Sequence, residues 1–247
     1  MAQLSDEILK NFADKGRGYI PETTKPVPVS AEALKFSPIA EESNFPESPT
    51  LDQKRASTCL PHAFLDGVLV RALVQGIANA RLFSILFLYR YGRPDPEVDS
   101  GMQFSNALST LLMRGIPAEE HWPYSDEAVY DPPPLIAIQH AVDQKGKIKS
   151  HALSGSVDAL RALSSGCPVV IGLRTTFGGP HAVLVCGHRR NAAGDFELKI
   201  KNSWGIEFGD GGYIWLPASL LDDHDEMLGI YSIDYSVSPS EDYADVA

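Results

Sequence analysis

Cys59 stands where a thiol can become a nucleophile. The run Thr58-Cys59-Leu60-Pro61-His62 opens a long apolar stretch. Pro61 fits only the first turn of a helix, so the spacing predicts a helix starting at Cys59 with Thr58 as its N-cap. At that position unsatisfied N–H groups and the helix dipole favour a thiolate, and a nearby imidazolium would favour it further. Taken by itself, a free cysteine reads as a small buried hydrophobe. His62 lies near Cys59 on the helix but has no neighbour in its run to orient it, so it reads as a cleft-side or packing residue. Cys186, in the middle of an apolar run, and Cys167, before Pro168, read as structural thiols, and His151 and His188 as histidines with satisfied rings. No Cys or His pair has metal-ligand spacing, and neither a metal nor an organic cofactor is expected.

The elements that must position these residues follow from periodicity. Ser5 can cap a short amphipathic helix over 4–15 that ends at Gly16 or Gly18. Residues 20–53 hold six prolines, among them Pro21, Pro26, Pro28 and Pro38, and read as an extended arm. From Thr58 onward the chain predicts a buried helix, a second helical stretch at 83–91, a helix over QFSNALSTLLMRG closed by Gly115, and a short one from Ser156 to Ser164. The runs 168–173, 181–188, 196–204 and 211–217 read as strands between Gly-, Asn- and Asp-containing turns. Helices first and strands last predict an α+β protein with a helical lobe and a sheet lobe.

Composition narrows the function classes. Of 247 residues, 21 are Lys or Arg and 32 are Asp or Glu, a net charge of -11 that repels phosphate backbones and anionic lipid. Neither a nucleic-acid nor a membrane partner is expected. No apolar run is long enough to span a bilayer, and MAQLSDEILKNFADKG lacks the charged and apolar regions of a secretory signal, which points to a cytoplasmic protein. Three cysteines are too few and too odd in number for a disulfide framework. A monomer is favoured.

Four separated motifs share one order along the chain. Asp52-Gln53 precedes Cys59 by a five-residue spacer. Gly179-Pro180-His181-Ala182 opens an apolar strand. Lys201-Asn202-Ser203-Trp204-Gly205 is followed by Gly212-Tyr213. Between them lie Asp99-Ser100-Gly101, Ala107-Leu108, Gly115-Ile116 and Trp122-Pro123-Tyr124. In these motifs the sequence resembles the papain-like cysteine peptidases over roughly residues 50–235. The Asn202-Ser203-Trp204-Gly205 block is the most specific part.

The resemblance implies a two-lobed papain-like fold, a helical lobe and an antiparallel sheet lobe, with the active site between them. It implies Cys59 as nucleophile, His181 as general base and acid, and Asn202 as the residue orienting the imidazole. Trp204 would cover the His181–Asn202 contact, and the Gln53 amide with the Cys59 N–H would form an oxyanion hole. Gly101 and Met102 would receive the substrate backbone. Phe104 and Ala182 would wall a pocket with Ile233 near its floor, favouring an apolar side chain two residues before the cut. Residues 51–235 would be the catalytic domain, residues 1–50 an N-terminal helix and arm, and residues 236–247 an acidic tail. The substrate would be a peptide or protein. An acyl transferase or isopeptidase with the same triad, and a silent binding protein of the same fold, are the alternative functions.

Several departures from the family pattern mark a divergent, bacterial-type branch. Leu60 replaces the Trp usual after the nucleophile, the usual disulfide cysteines are absent, and Met102 stands in place of the second glycine. Two readings of the N-terminal arm stay open: a strap packed across the lobes, or a cover lying in the cleft.

Overall fold

The structure is a computed structural model describing residues 4–16, 18–23, 36–145 and 147–234. Pro26, Pro28 and the C-terminal acidic run lie outside the described residues.

The chain is α+β, with the helices of the core coming mostly before the strands. Helix α1 spans Asp6–Asn11, and Ser5 caps it through its hydroxyl, which accepts from the Ile8 N–H. It ends at Phe12, earlier than the glycines suggested. Helix α2, Cys59–Val74, is apolar on nearly all sides and buried along most of its length, the pattern of a helix inside a protein rather than on it. In the helical lobe α3 (Ile85–Gly92) packs on α2 and α4 (Phe104–Met113) packs on α3, and α5 (Leu135–Ala141) follows. Helix α6 covers Ser156–Ser164 with Gly155 at the N-cap.

The sheet contains β1 (Glu42–Asn44), β2 (Ile148–Ala152), β3 (Val169–Leu173), β4 (His181–Arg190), β5 (Phe196–Lys201), β6 (Tyr213–Pro217) and β7 (His224–Ile233). Its order is β2-β7-β3-β4-β5-β6, with β1 paired to the far end of β4, and every pairing is antiparallel. Strands β1, β2 and β7 and helix α5 carried too short or too mixed a pattern to stand out in the sequence. Strand β5 stops at Lys201, three residues sooner than expected, so Asn202 and Trp204 fall in the turn after it.

Helix α2 lies against β3, β4 and β7. Its N-terminus therefore meets the start of β4, where His181 stands. One buried ion pair fixes this crossing. Lys201 Nζ on β5 lies 2.8 Å from Asp66 Oδ2 on α2, with side chains 1% and 5% exposed. Ser48 joins them: its hydroxyl donates to Asp66 Oδ1 at 2.5 Å, while Lys201 donates to the carbonyls of Ser48 and Pro49. Buried charges need such full pairing to be tolerated, and here the network also holds the Ser48–Pro49 loop that leads to Gln53.

Candidate active site

Cys59 is the first residue of α2 and is fully buried. Thr58 precedes it but does not cap the helix with its side chain. Its Oγ1 lies 2.9 Å from the Tyr124 hydroxyl, which donates to the Gln53 carbonyl at 2.8 Å. The residue expected to cap the helix instead ties it to the loop carrying Gln53.

Strand β4 brings His181 to the thiol. Ala182, the next residue, donates its N–H to Cys59 Sγ at 3.4 Å. His181 Nε2 lies 2.8 Å from Asn202 Oδ1, and that same oxygen accepts the Ser203 N–H at 2.8 Å. The second contact settles which way the amide points. Since Oδ1 can only accept, Nε2 carries the proton, and Nδ1 of the neutral ring is left as the basic nitrogen. An aromatic group surrounds the pair: Trp204 lies 4.9 Å from the His181 ring, Phe177 lies 5.1 Å from it, and Phe208 stands edge-on to Trp204. These rings keep water from the His181–Asn202 contact, which strengthens it.

Gln53 is fully buried, and its amide is held at both ends. Ser203 Oγ donates to Oε1 at 2.6 Å, which leaves Nε2 as donor. Nε2 gives hydrogen bonds to the carbonyls of Ala56 at 2.9 Å and Gly16 at 2.8 Å. The first N–H groups of α2, that of Cys59 among them, have no acceptor within the helix. The four residues expected to act together thus come from two elements, α2 and β4, and two loops.

The cleft is filled by the chain's own N-terminal segment. Phe12 stacks on Trp204 at 5.6 Å and meets Phe208 edge-on. Lys15 pairs with Asp52 at 2.8 Å. The Gly16 carbonyl sits on the Gln53 amide, and the Gly18 N–H donates to Cys59 Sγ at 3.1 Å. Tyr19 then forms a parallel bridge with Met102: Met102 N–H donates to the Gly18 carbonyl at 2.7 Å and Ile20 N–H to the Met102 carbonyl at 3.0 Å. Gly18 passes so close to Ser57 that a Cβ there would overlap the Ser57 backbone. Burial under this segment pushes the Cys59 thiol up to about 11, against the pull of the Ala182 and Gly18 N–H groups.

The other expected binding residues divide. Met102 carries the segment's backbone pairing, Gly101 lies against the Gly18 carbonyl where a Cβ would overlap it, Phe104 packs edge-on to Tyr19 at 5.5 Å, and Ala182 lies at the thiol. Ile233 does not belong to this group. It pairs with Ile148 at the far end of β7, so the pocket floor assigned to it is a correction. The residue of β7 that reaches the cleft is Glu226, whose Oε2 accepts from the Tyr19 hydroxyl at 3.2 Å. Neither Glu226 nor Phe177 was singled out by sequence; only the nearness of Phe177 to the Gly-Gly-Pro-His turn hints at it.

His62 is buried with Nδ1 2.8 Å from the Thr58 carbonyl and its ring edge-on to Tyr124, and burial pushes its pKa down to about 4. It is a neutral packing histidine. Cys167 and Cys186 are buried free thiols, with Cys186 pushed up to about 12 by burial. Among the described residues, no group of three or more His, Cys, Asp or Glu could hold a metal ion, and no helix is long and apolar enough to cross a membrane.

No family model matches the chain. It is 26% identical over 206 residues to an uncharacterized peptidase C1-like protein of Acanthamoeba polyphaga mimivirus, covering 70% of this chain and 65% of that one. The chain thus spans slightly under two thirds of the length of that curated relative. Xylellain, a cysteine protease from Xylella fastidiosa, superposes with a TM-score of 0.75 at 20% identity, over 90% of this chain and 97% of that one. Digestive procathepsin L 3 of Tenebrio molitor does so with a TM-score of 0.68 at 18% identity, over 91% and 78%. The fold is papain-like, and the chain resembles the papain-like cysteine peptidases as a divergent relative.

Proposed function

We propose that the protein is a cysteine-type peptidase that hydrolyses peptide bonds through a thioester on Cys59, and that the form described is latent. The convergence of Gln53, Cys59, His181 and Asn202 supports the first part most directly. His181 Nδ1 takes the Cys59 proton as Sγ attacks the scissile carbonyl carbon. The oxygen of the tetrahedral adduct gains a negative charge, which the Gln53 Nε2–H and the Cys59 N–H stabilise. Loss of one such donor typically costs about 3 kcal/mol. As the C–N bond breaks, the imidazolium gives its proton to the departing amine. Water, deprotonated by His181, then attacks the thioester carbonyl, releasing the carboxylic acid and restoring the thiol. Asn202 holds the ring in place through both steps.

Latency follows from what occupies these groups. The Gly16 carbonyl stands in for the oxyanion on Gln53, an N–H rather than a carbonyl carbon faces Sγ, and Tyr19 fills the side-chain slot beside Met102. Of the two readings of the arm, the cleft cover is the one this path supports.

The test is labelling of Cys59 by a peptidyl epoxide, together with hydrolysis of a peptide library. Both are measured in the full chain and in a Phe12→Ala/Tyr19→Ala variant that loosens the segment. The variant should form a stoichiometric adduct and release product, with both lost in Cys59→Ala and His181→Ala. An adduct without turnover would point to a binding protein, and product formed only with an added amine to an acyl transferase.

A further inference from the structure

Helix α3 turns two residues toward the segment that pairs with the arm. Tyr89 and Gly92 stand three apart on it, hence on one face. The missing side chain of Gly92 leaves room for the Met102 thioether, which a Cβ there would overlap. The Tyr89 hydroxyl accepts the Gly101 N–H at 3.0 Å and donates to Asp99 Oδ1. That direction is fixed, since a carboxylate only accepts. Asp99 in turn reaches the turn before the nucleophile: its two oxygens accept the Ser57 N–H at 3.0 and 3.1 Å. One hydrogen-bonded chain thus runs from Gly101 through Tyr89 and Asp99 to Ser57, two residues ahead of the thiol. Tyr89 is fully buried, and the buried Arg93 guanidinium lies over its ring at 4.7 Å. The reaction proposed above gives neither Asp99 nor Tyr89 a part.

We infer that Asp99 and Tyr89 are positioning residues that hold the backbone at Met102 in register with Cys59. A peptide laid on Met102 then brings its scissile carbonyl to Sγ. This rests on the peptidase reading. The arm shows how short the span is: Gly18 takes the Met102 N–H on its carbonyl while its own N–H meets Sγ. With a single residue bridging receiver and nucleophile, a displacement of about 1 Å between them can cost a hundredfold in rate. Ser57 and Asp99 are 42 residues apart in the chain, so local structure alone does not fix that distance. Hydrogen bonds to a carboxylate are roughly twice as strong as neutral ones, and linked bonds polarise one another, which suits a stiff tie.

The experiment uses the full chain carrying Phe12→Ala/Tyr19→Ala, with and without Tyr89→Phe, Asp99→Asn or both. A peptidyl epoxide long enough to lie along Met102 is titrated to separate its half-saturating concentration from its maximal rate of labelling Cys59. Each single substitution should lower the maximal rate about tenfold or more, while the half-saturating concentration moves less than about threefold. The double variant should fall no more than about twofold below the worse single one, since one broken link already opens the chain. Iodoacetamide, which binds no backbone, should alkylate Cys59 within about twofold of the parent rate throughout. Should Asp99→Asn fold poorly, Tyr89→Phe decides, because it removes only a hydroxyl. An unchanged maximal rate in Tyr89→Phe, a fall shared by iodoacetamide, a loss confined to the half-saturating concentration, or losses that multiply would overturn the inference. Labelling that depends on the tie without peptide hydrolysis would uphold the inference and sink the peptidase reading. Hydrolysis indifferent to both substitutions would do the reverse.

Discussion

Gly18 donates its backbone N–H to the Sγ of Cys59 at 3.1 Å across 41 residues of chain. The nucleophile of the proposed reaction is therefore solvated by the protein itself, in the place a substrate would take. Because Gly16 and Tyr19 flank that contact on the Gln53 amide and the Glu226 carboxylate, one short segment engages the thiol, the hole and the slot together.

Thiol reactivity should report this cover. With burial holding Cys59 up to about 11, iodoacetamide should alkylate it slowly at neutral pH, with a rate still climbing above pH 9. Loosening the segment by Phe12→Ala/Tyr19→Ala should move the apparent pKa downward and raise the rate at pH 7.5 by about tenfold or more. Superimposable pH profiles for the two proteins would rule out the cover.

Ser203 acts through Gln53 as a positioning residue. Its Oγ holds Oε1 at 2.6 Å, so Ser203→Ala frees the amide to turn. In the loosened protein kcat should fall about tenfold with KM little changed, Ser203→Thr should restore most of it, and Ser203→Ala should add little on top of Gln53→Ala. Additive losses in that double-mutant cycle would place Ser203 elsewhere in the mechanism.

The Lys201–Asp66 pair should be costly to break from one side. Lys201→Met or Asp66→Leu alone leaves a buried charge and should destabilise by about 3–5 kcal/mol in urea unfolding. The double replacement should cost less than the sum of the two. Full additivity would mean that the pair at 2.8 Å is not energetically coupled.

Two groups shifted by burial should give stability opposite pH slopes. Folded His62 stays neutral down to about 4 while the unfolded chain protonates it near 6.5, so the unfolded state holds more protons between those values and stability falls as pH drops through them. Burial pushes Glu119 up to about 7 although it accepts the Tyr124 and Ile85 N–H groups. The folded state then holds more protons between about 4.5 and about 7, and stability falls as pH rises through that range. Glu119→Gln should remove the second loss and His62→Asn the first, read as urea midpoints across pH 4–7.5. A midpoint profile unchanged by both substitutions would contradict these assignments.

The sequence by itself determined the helix-then-strand order and the buried helix behind Cys59, because both are written in local residue types and short spacings, whereas the expected set of Gln53, Cys59, His181 and Asn202 rested on the family resemblance of the motifs around them. Only the tertiary structure decided what those patterns leave out. Thr58 turned from a cap to a tie because Tyr124, distant in sequence, offers its hydroxyl a partner. The pocket floor moved from Ile233 to Glu226 because sheet register, not composition, sets which end of β7 meets the cleft. The arm's choice between strap and cover lay in contacts between Tyr19 and a residue 207 positions away, and no periodicity encodes a contact over that separation. Such pairings exist only once the lobes have closed around α2, and it is there that Cys59 acquires its neighbours.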